Sequence, residues 1–207
     1  MTRRVIVVTG GLSQPSSTRL LSDRISGAVI AAIEARGESL DVDIVELRDV
    51  AGDLATMMST QVATSALADI RERVSRADGL IAVTPVFTAS YSGLFKMFFD
   101  ALDPDVLRGT PTIIAATAGS ARHSLVLDHA MRPLFAFLGA VVVPTGIFAA
   151  TEDFGGGANR GEDGLPRRIC RAADELAAMM VTGNTASGVS EDRSGSAFEA
   201  LLGSHLK

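Results

Sequence analysis

Residues 9–18 read Thr-Gly-Gly-Leu-Ser-Gln-Pro-Ser-Ser-Thr, so Ser13, Ser16, Ser17 and Thr18 put four hydroxyls within six positions. A helical pattern starts at Thr18. The hydroxyls therefore gather at a helix N-terminus, where free backbone N–H groups and the positive end of the dipole favour an anion. The glycine spacing of a dinucleotide fingerprint is absent, as is the Gly-Lys-Ser/Thr of a Walker loop. Capping a helix takes one hydroxyl. Four, beside Gln14, suggest a phosphate cradle, with plain N-capping as the competing reading.

A second segment, residues 84–93, reads Thr-Pro-Val-Phe-Thr-Ala-Ser-Tyr-Ser-Gly. Pro85 stiffens the backbone, small residues allow a flat ligand to approach, and Phe87 and Tyr91 offer aromatic edges. A flavin ring needs such a loop, with N–H groups at its polar edge and apolar contact elsewhere. Taken alone, an ordinary turn with both aromatics in the core is the simpler reading. The third segment, residues 117–123, is Thr-Ala-Gly-Ser-Ala-Arg-His. Arg122 is placed either to meet a phosphate of a reductant or to sit solvated. No Ser–His–Asp spacing is interpretable as a triad, and Cys170 falls in a helical segment away from these loops.

The elements that must position these loops alternate. Residues 5–8, Val-Ile-Val-Val, form a continuous β-branched run, as in a parallel strand buried on both faces. Helices are expected over about 18–36, 65–76, 91–102, from the 117–120 loop to about 138, and over 166–181. Further strands are expected over 42–45 (half exposed, an edge), 80–83, 112–116 and 140–143. Residues 47–59, with Gly52, read as a loop, and residues 151–168 as a glycine-rich charged loop. Five strands alternating with helices specify a parallel sheet covered on both faces, either flavodoxin-like (order 2-1-3-4-5) or half-Rossmann. Ligands bind beyond the carboxyl ends of such strands, where the three segments lie. The expected domain is residues 1–181, followed by a Gly/Ser/Thr-rich tail, 182–207, with an apolar end at Phe198, Leu201 and Leu202.

The 207 residues fit one domain, and 47% apolar content supplies a core. A net charge of −5 and 5% aromatic residues argue against nucleic acid as a partner. One cysteine excludes an internal disulfide, and three histidines leave little for a zinc site. Residues 133–150 carry no charge, but Gly139, Pro144 and Gly146 break any membrane helix there. No leader is legible, so a cytoplasmic protein without a membrane role is expected.

With these residues in hand, Thr84-Pro85-Val86-Phe87-Thr88-Ala89-Ser90-Tyr91-Ser92-Gly93, followed by Leu94-Phe95-Lys96, resembles the Thr-Pro-x-Tyr-x-x-Ser-Tyr-x-Gly-x-x-Lys signature of NAD(P)H-dependent FMN reductases. Residues 13–18 resemble their phosphate loop, and residues 119–133 their fourth strand–helix unit. The likeness spans about residues 4–150. Within the family it is nearest to reductases serving two-component monooxygenases, such as the alkanesulfonate type. The resemblance implies a flavodoxin-like three-layer sandwich with a five-stranded parallel sheet. It implies FMN phosphate at Ser13, Ser16, Ser17 and Thr18. The ring would rest on Pro85, Val86, Phe87 and Ser90, with Thr117, Gly119 and Ser120 completing the pocket. Many relatives have Arg where Gln14 stands, which implies a more exchangeable flavin here; His129 replaces a Tyr of the alkanesulfonate type and is a flavin or interface contact. The implied reaction passes hydride from the nicotinamide to FMN, the protein supplying stacking and hydrogen bonds and no acid or base. Reduced FMN would go to a partner monooxygenase; the alternative is an enzyme that retains FMN and reduces quinones, azo dyes or nitro compounds.

NADPH is the expected reductant, with NADH as the alternative, because Arg122, Arg160, Arg167 and Arg168 are available for a 2′-phosphate. A dimer or tetramer is also expected. Helix 91–102 is apolar around most of its circumference; with Leu94, Phe98 and Leu102 on one face, Phe95 and Phe99 are left for a partner, and the next helix adds Leu134, Phe135, Phe137 and Leu138 to a four-helix contact about a two-fold axis.

Overall fold

Val5, Ile6, Val7 and Val8 are each at most 1% exposed, at the centre of the first strand. The computed structural model describes residues 1–155 and 164–182. Their order is β1 (Thr2–Thr9), α1 (Ser17–Glu34), β2 (Ser39–Glu46), α2 (Ala51–Thr60), α3 (Ser65–Ser75), β3 (Gly79–Phe87), β4 (Ser90–Tyr91), α4 (Gly93–Asp100), β5 (Pro111–Ala118), α5 (Arg132–Phe137), β6 (Val141–Val142), β7 (Ile147–Ala150) and α6 (Leu165–Thr182). Alternate side chains of β1 leave towards opposite layers. Val5 and Val7 join α1 and α6, through Leu21, Ile25, Ala173 and Leu176. Ile6 and Val8 join the layer holding Leu54, Ile70, Phe98 and Phe135. The result is the expected three-layer sandwich.

The sheet runs β2-β1-β3-β5-β6, with β7 pairing further along β5 and β4 returning antiparallel on β3. Its parallel register sets Val5 beside Val42 and Gly79, and Ile81 beside Ile113. The five parallel positions therefore follow the flavodoxin-like order, and the chain reverses direction across the sheet between β1 and β3. The sheet has seven strands rather than five. Pro144 and Gly146 split the last position into β6 and β7, so strand structure continues to Ala150, beyond the expected 140–143.

Four further expectations need correction. Residues 47–60 are not a loop: a 3₁₀ turn, Leu47–Val50, leads directly into α2. Leu47, Val50, Leu54 and Met57 recur at helical spacing and pack on the core, which outweighs Gly52. Residues 85–90 are a hairpin, because β3 runs on through Phe87 and returns as β4. The expected helix to residue 138 is broken into a 3₁₀ turn (Ala121–His123), a π-helical turn (Leu127–Met131) and α5. Pro133 has no N–H to give the His129 carbonyl, so a continuous α ladder cannot pass that point.

The last correction concerns α4. Phe95 and Phe99 are core residues, 0% and 2% exposed. The sheet is not their only cover: α2 packs against α4, and Phe135 of α5 meets Phe99 edge-on with centroids 4.9 Å apart. The Phe95 and Phe99 rings meet at 4.7 Å, tilted by 57°. Of the phenylalanines expected at a contact between copies, Phe137 of α5 is the exposed one, at 86%. Among the described residues, no helix is long and apolar enough to cross a membrane. The expected tail, with Phe198, Leu201 and Leu202, lies outside the described residues, as do Gly156, Gly157, Arg160 and Gly161.

Candidate active site

Three parallel strands, β1, β3 and β5, end side by side, and the loops leaving them meet in a cleft of about 310 Å³. Its walls are Gly11, Leu12, Ser13, Ser17 and Thr18 from the first loop, Pro85, Val86 and Phe87 from β3, and Thr117, Ala118 and Gly119 from β5; Thr151 closes it. A larger groove, about 420 Å³, lies by Arg4, Asp41, Asp43 and Arg73, near the start of β1. Its Arg73 is paired with Asp43 and Asp69. The smaller cleft is the better candidate because it stands at the carboxyl ends of the strands.

Ser16 is the N-cap of α1: its Oγ accepts the Arg19 N–H at 3.2 Å. One hydroxyl thus does the capping, and Ser13, Ser17 and Thr18 are left to line the cleft. With Arg19 N–H taken, the first-turn N–H groups of Ser17 and Thr18 remain for a ligand. A Cβ at Gly11 would run into Ser16 Oγ and crowd Thr18 Cβ, so a larger residue there would have to displace the capping hydroxyl. The loop is thus folded tightly enough that its backbone forms the wall. Thr18 and Thr117, 99 positions apart, share a buried hydrogen bond of 2.9 Å between their hydroxyls. A hydroxyl pair uses one of its two protons internally and keeps the other for a guest. Helix-start N–H groups, hydroxyl donors and a close backbone suit a phosphate without a lysine.

The β3–β4 hairpin forms the opposite wall. Val86 pairs with Tyr91 and Phe87 with Ser90, leaving a two-residue turn at Thr88 and Ala89. Both turn residues are left-handed, with φ of 48° and 66°. Thr84 Oγ1 accepts the Ser92 N–H at 3.0 Å, and Ser92 Oγ in turn accepts the Phe95 N–H at 3.2 Å. These bonds fix the hairpin base to the start of α4. Phe87 is 46% exposed beside the cleft, whereas Tyr91 packs partly against the core and stacks on Phe95 at 6.0 Å. One aromatic is thus free to meet a flat ligand and the other is structural.

Of the residues expected at the site, Ser13, Ser17, Thr18, Pro85, Val86, Phe87, Thr117 and Gly119 line one cleft. Ser16 caps the helix, Ser90 sits in the hairpin and Ser120 opens the 3₁₀ turn. Gln14, next to Ser13, is exposed, and its carboxamide meets Arg48. Arg122 and His129 are exposed, on the 3₁₀ and π-helical turns after β5. Arg167 is exposed on α6, but Arg168 donates to the Phe148 carbonyl at 3.1 Å and so already has a structural partner. Thr151 was missed because it depends on β7, a strand that the Pro144–Gly146 break hides. Arg48 was missed because residues 47–59 read as a loop.

A family model described as NADPH-dependent FMN reductase matches residues 3–155. The chain is 39% identical over 153 residues to the FMN reductase (NADPH) of Pseudomonas aeruginosa, covering 73% of this chain and 78% of that one. It is 40% identical over 151 residues to the NADH-dependent FMN reductase SfnF of Pseudomonas putida, covering 73% and 79%. An X-ray structure of an oxidoreductase from Corynebacterium diphtheriae is 58% identical, with a TM-score of 0.82, covering 87% of this chain and 97% of that chain. With the sheet order and the hydroxyl-lined cleft, this match establishes that the chain belongs to the NADPH-dependent FMN reductase family, oxidoreductases that use a reduced nicotinamide nucleotide and FMN.

Proposed function

We propose that the protein, as a cytoplasmic enzyme, takes up FMN in the cleft between residues 11–18, 85–87 and 117–119 and releases it reduced to a partner monooxygenase. The observation that carries this reading is the convergence of a helix-start phosphate cradle and an apolar wall with one exposed aromatic in a single cleft. Bound FMN supplies the hydride acceptor. The chain's own part is to hold the phosphate with the Ser17 and Thr18 N–H groups and the Ser13 and Ser17 hydroxyls. Pro85, Val86 and Phe87 would pack against the ring and orient it for the nicotinamide. No protein acid or base is required. About 310 Å³ is at the low end of ligand sites, roughly 300–1,000 Å³, and Leu12, Ser13 and Phe87 are exposed. A shallow cleft favours a flavin that leaves over one that stays.

Arg122 is exposed one turn beyond Gly119 and makes no hydrogen bond or ion pair among the described residues. It is the described cation best placed for a 2′-phosphate, which supports NADPH as reductant. The exposed Phe137, beside Leu134, Leu138 and Leu102 in a shallow apolar groove, supports assembly as a dimer or tetramer. Steady-state oxidation of NADPH and NADH with FMN and riboflavin tests the whole reading. A colourless purified protein whose NADPH oxidation saturates with added FMN is expected, with Arg122→Ala raising KM for NADPH and not for NADH. A protein that purifies with one FMN per chain and ignores added FMN would instead be an FMN-retaining reductase of quinones, azo dyes or nitro compounds.

A further inference from the structure

Arg48 reaches the candidate phosphate loop from the 3₁₀ turn after β2, and its side chain is only 21% exposed. Its Nη1 donates to the Ser13 carbonyl at 3.2 Å. With the Gln14 carboxamide oriented to satisfy its neighbours, Gln14 oxygen accepts from Nη1 at 2.9 Å and from Nη2 at 2.7 Å. Nη2 also holds Glu46 Oε2 at 2.6 Å, and Nε lies 3.5 Å from Asp49 Oδ1. The other oxygen of Glu46 takes Arg19 Nη1 at 2.5 Å, and Arg19 Nε meets Asp23 at 2.8 Å. The four Nη protons of Arg48 are thus all used within the protein. It has no fork left to offer a phosphate directly.

Its effect falls on Gln14. A carboxamide presents one acceptor and one pair of donors. Fixing the oxygen on a guanidinium leaves the NH₂ as the free end, and that is the polarity an anion needs. The same guanidinium holds the Ser13 carbonyl, an acceptor that would repel an anion if it turned into the cleft. We propose that Arg48 is a positioning residue of the phosphate site, locking Gln14 as a hydrogen-bond donor and Ser13 in its loop conformation, so that the chain discriminates phosphorylated from unphosphorylated flavin. This rests on the reading of residues 11–18 as the FMN phosphate site.

Flavin-fluorescence titrations with FMN and with riboflavin, on the full-length chain, test it. Wild type is expected to bind FMN more tightly than riboflavin. Arg48→Met and Gln14→Ala should each raise the FMN Kd about tenfold, the loss of roughly one hydrogen bond, with the riboflavin Kd unchanged. The double variant should be no weaker than the worse single one, because both remove the same contact. Gln14→Glu is the decisive control. Glutamate would pair with Arg48 better than glutamine does, so a merely structural Arg48 predicts a weakening that comes only from the added exposed charge and disappears at high salt. Loss of the NH₂ donors predicts an FMN Kd that stays raised at high salt, at least as far as in Gln14→Ala. Equal weakening of FMN and riboflavin, additive single effects, or a Gln14→Glu effect that disappears at high salt would overturn the role of Arg48. If wild type itself fails to distinguish FMN from riboflavin, the phosphate-site reading falls, and this inference with it. Gln14 is exposed, so its variants remain informative even if Arg48→Met does not fold.

Discussion

At the scale of single residues, the site rests on polar groups whose partners come from distant parts of the chain. Thr18 and Thr117 are 3% and 4% exposed and satisfy each other. Thr18→Val strands the Thr117 hydroxyl without a partner, and a buried polar group left unpaired costs about 1–3 kcal/mol. Urea unfolding should show that loss for either single valine variant. The double variant should recover part of it, because no orphan remains. A second pair acts at the other end of the strands. Arg3 at the start of β1 donates from Nε and Nη2 to the two carboxylate oxygens of Glu38. That hydrogen-bonded guanidinium holds the Glu38 carboxyl below its usual value. A lowered native pKa adds stability that is complete above the unfolded glutamate value, about 4.3. It is lost as pH falls from there through the native pKa. Glu38→Gln should therefore reduce the stability difference between neutral pH and mild acid, measured by thermal melts across that window.

At the scale of elements, the β3–β4 hairpin is the strained part. A two-residue hairpin turn with both φ values positive normally uses Asn-Gly, yet here the residues are Thr88 and Ala89. Left-handed backbone costs an L-residue roughly 1–2 kcal/mol, and a β-branched threonine is an outlier there. Such strain, beside the exposed Phe87, fits a loop whose shape is dictated by what it must meet. Thr88→Asn with Ala89→Gly should raise stability by roughly 1–2 kcal/mol in denaturant titrations. An unchanged melting point would show that the turn is relieved by other contacts.

At the scale of the whole molecule, α4 drops out of the expected contact between copies, and of the α5 residues expected there Phe137 is the one left widely exposed. Phe95→Asp or Phe99→Asp would bury a charge in the ring cluster and unfold the domain before reporting on assembly. Phe137→Asp changes a side chain that the rest of the subunit leaves in solvent. Light scattering at low micromolar concentration should show a wild-type assembly of at least two copies and a monomeric Phe137→Asp of unchanged melting behaviour. A monomeric wild type would end the proposal.

The sequence by itself determined the alternating elements and the three loops that meet at the cleft; its pattern left two strand orders open, and the pairing of the strands decided for 2-1-3-4-5. The elements and the loops follow from local pattern: β-branched runs make buried strands, and an open parallel sheet leaves its crevice at the carboxyl ends of those strands. Serine and threonine clustering marked the candidate phosphate loop, but only the tertiary structure separated its members by task. Ser16 caps because its Oγ lies on the Arg19 N–H, while Ser17 faces the cleft. Tertiary structure also decided which phenylalanines are buried. Helical periodicity gives the angle between Phe95 and Phe98, but how wide an arc is covered depends on α2 and α5, elements 33 or more residues away in sequence. Arg48 is the same case. Nothing local distinguishes it from a solvated arginine, and its role exists only because β2 pairs beside β1 and delivers its guanidinium to the Ser13 carbonyl.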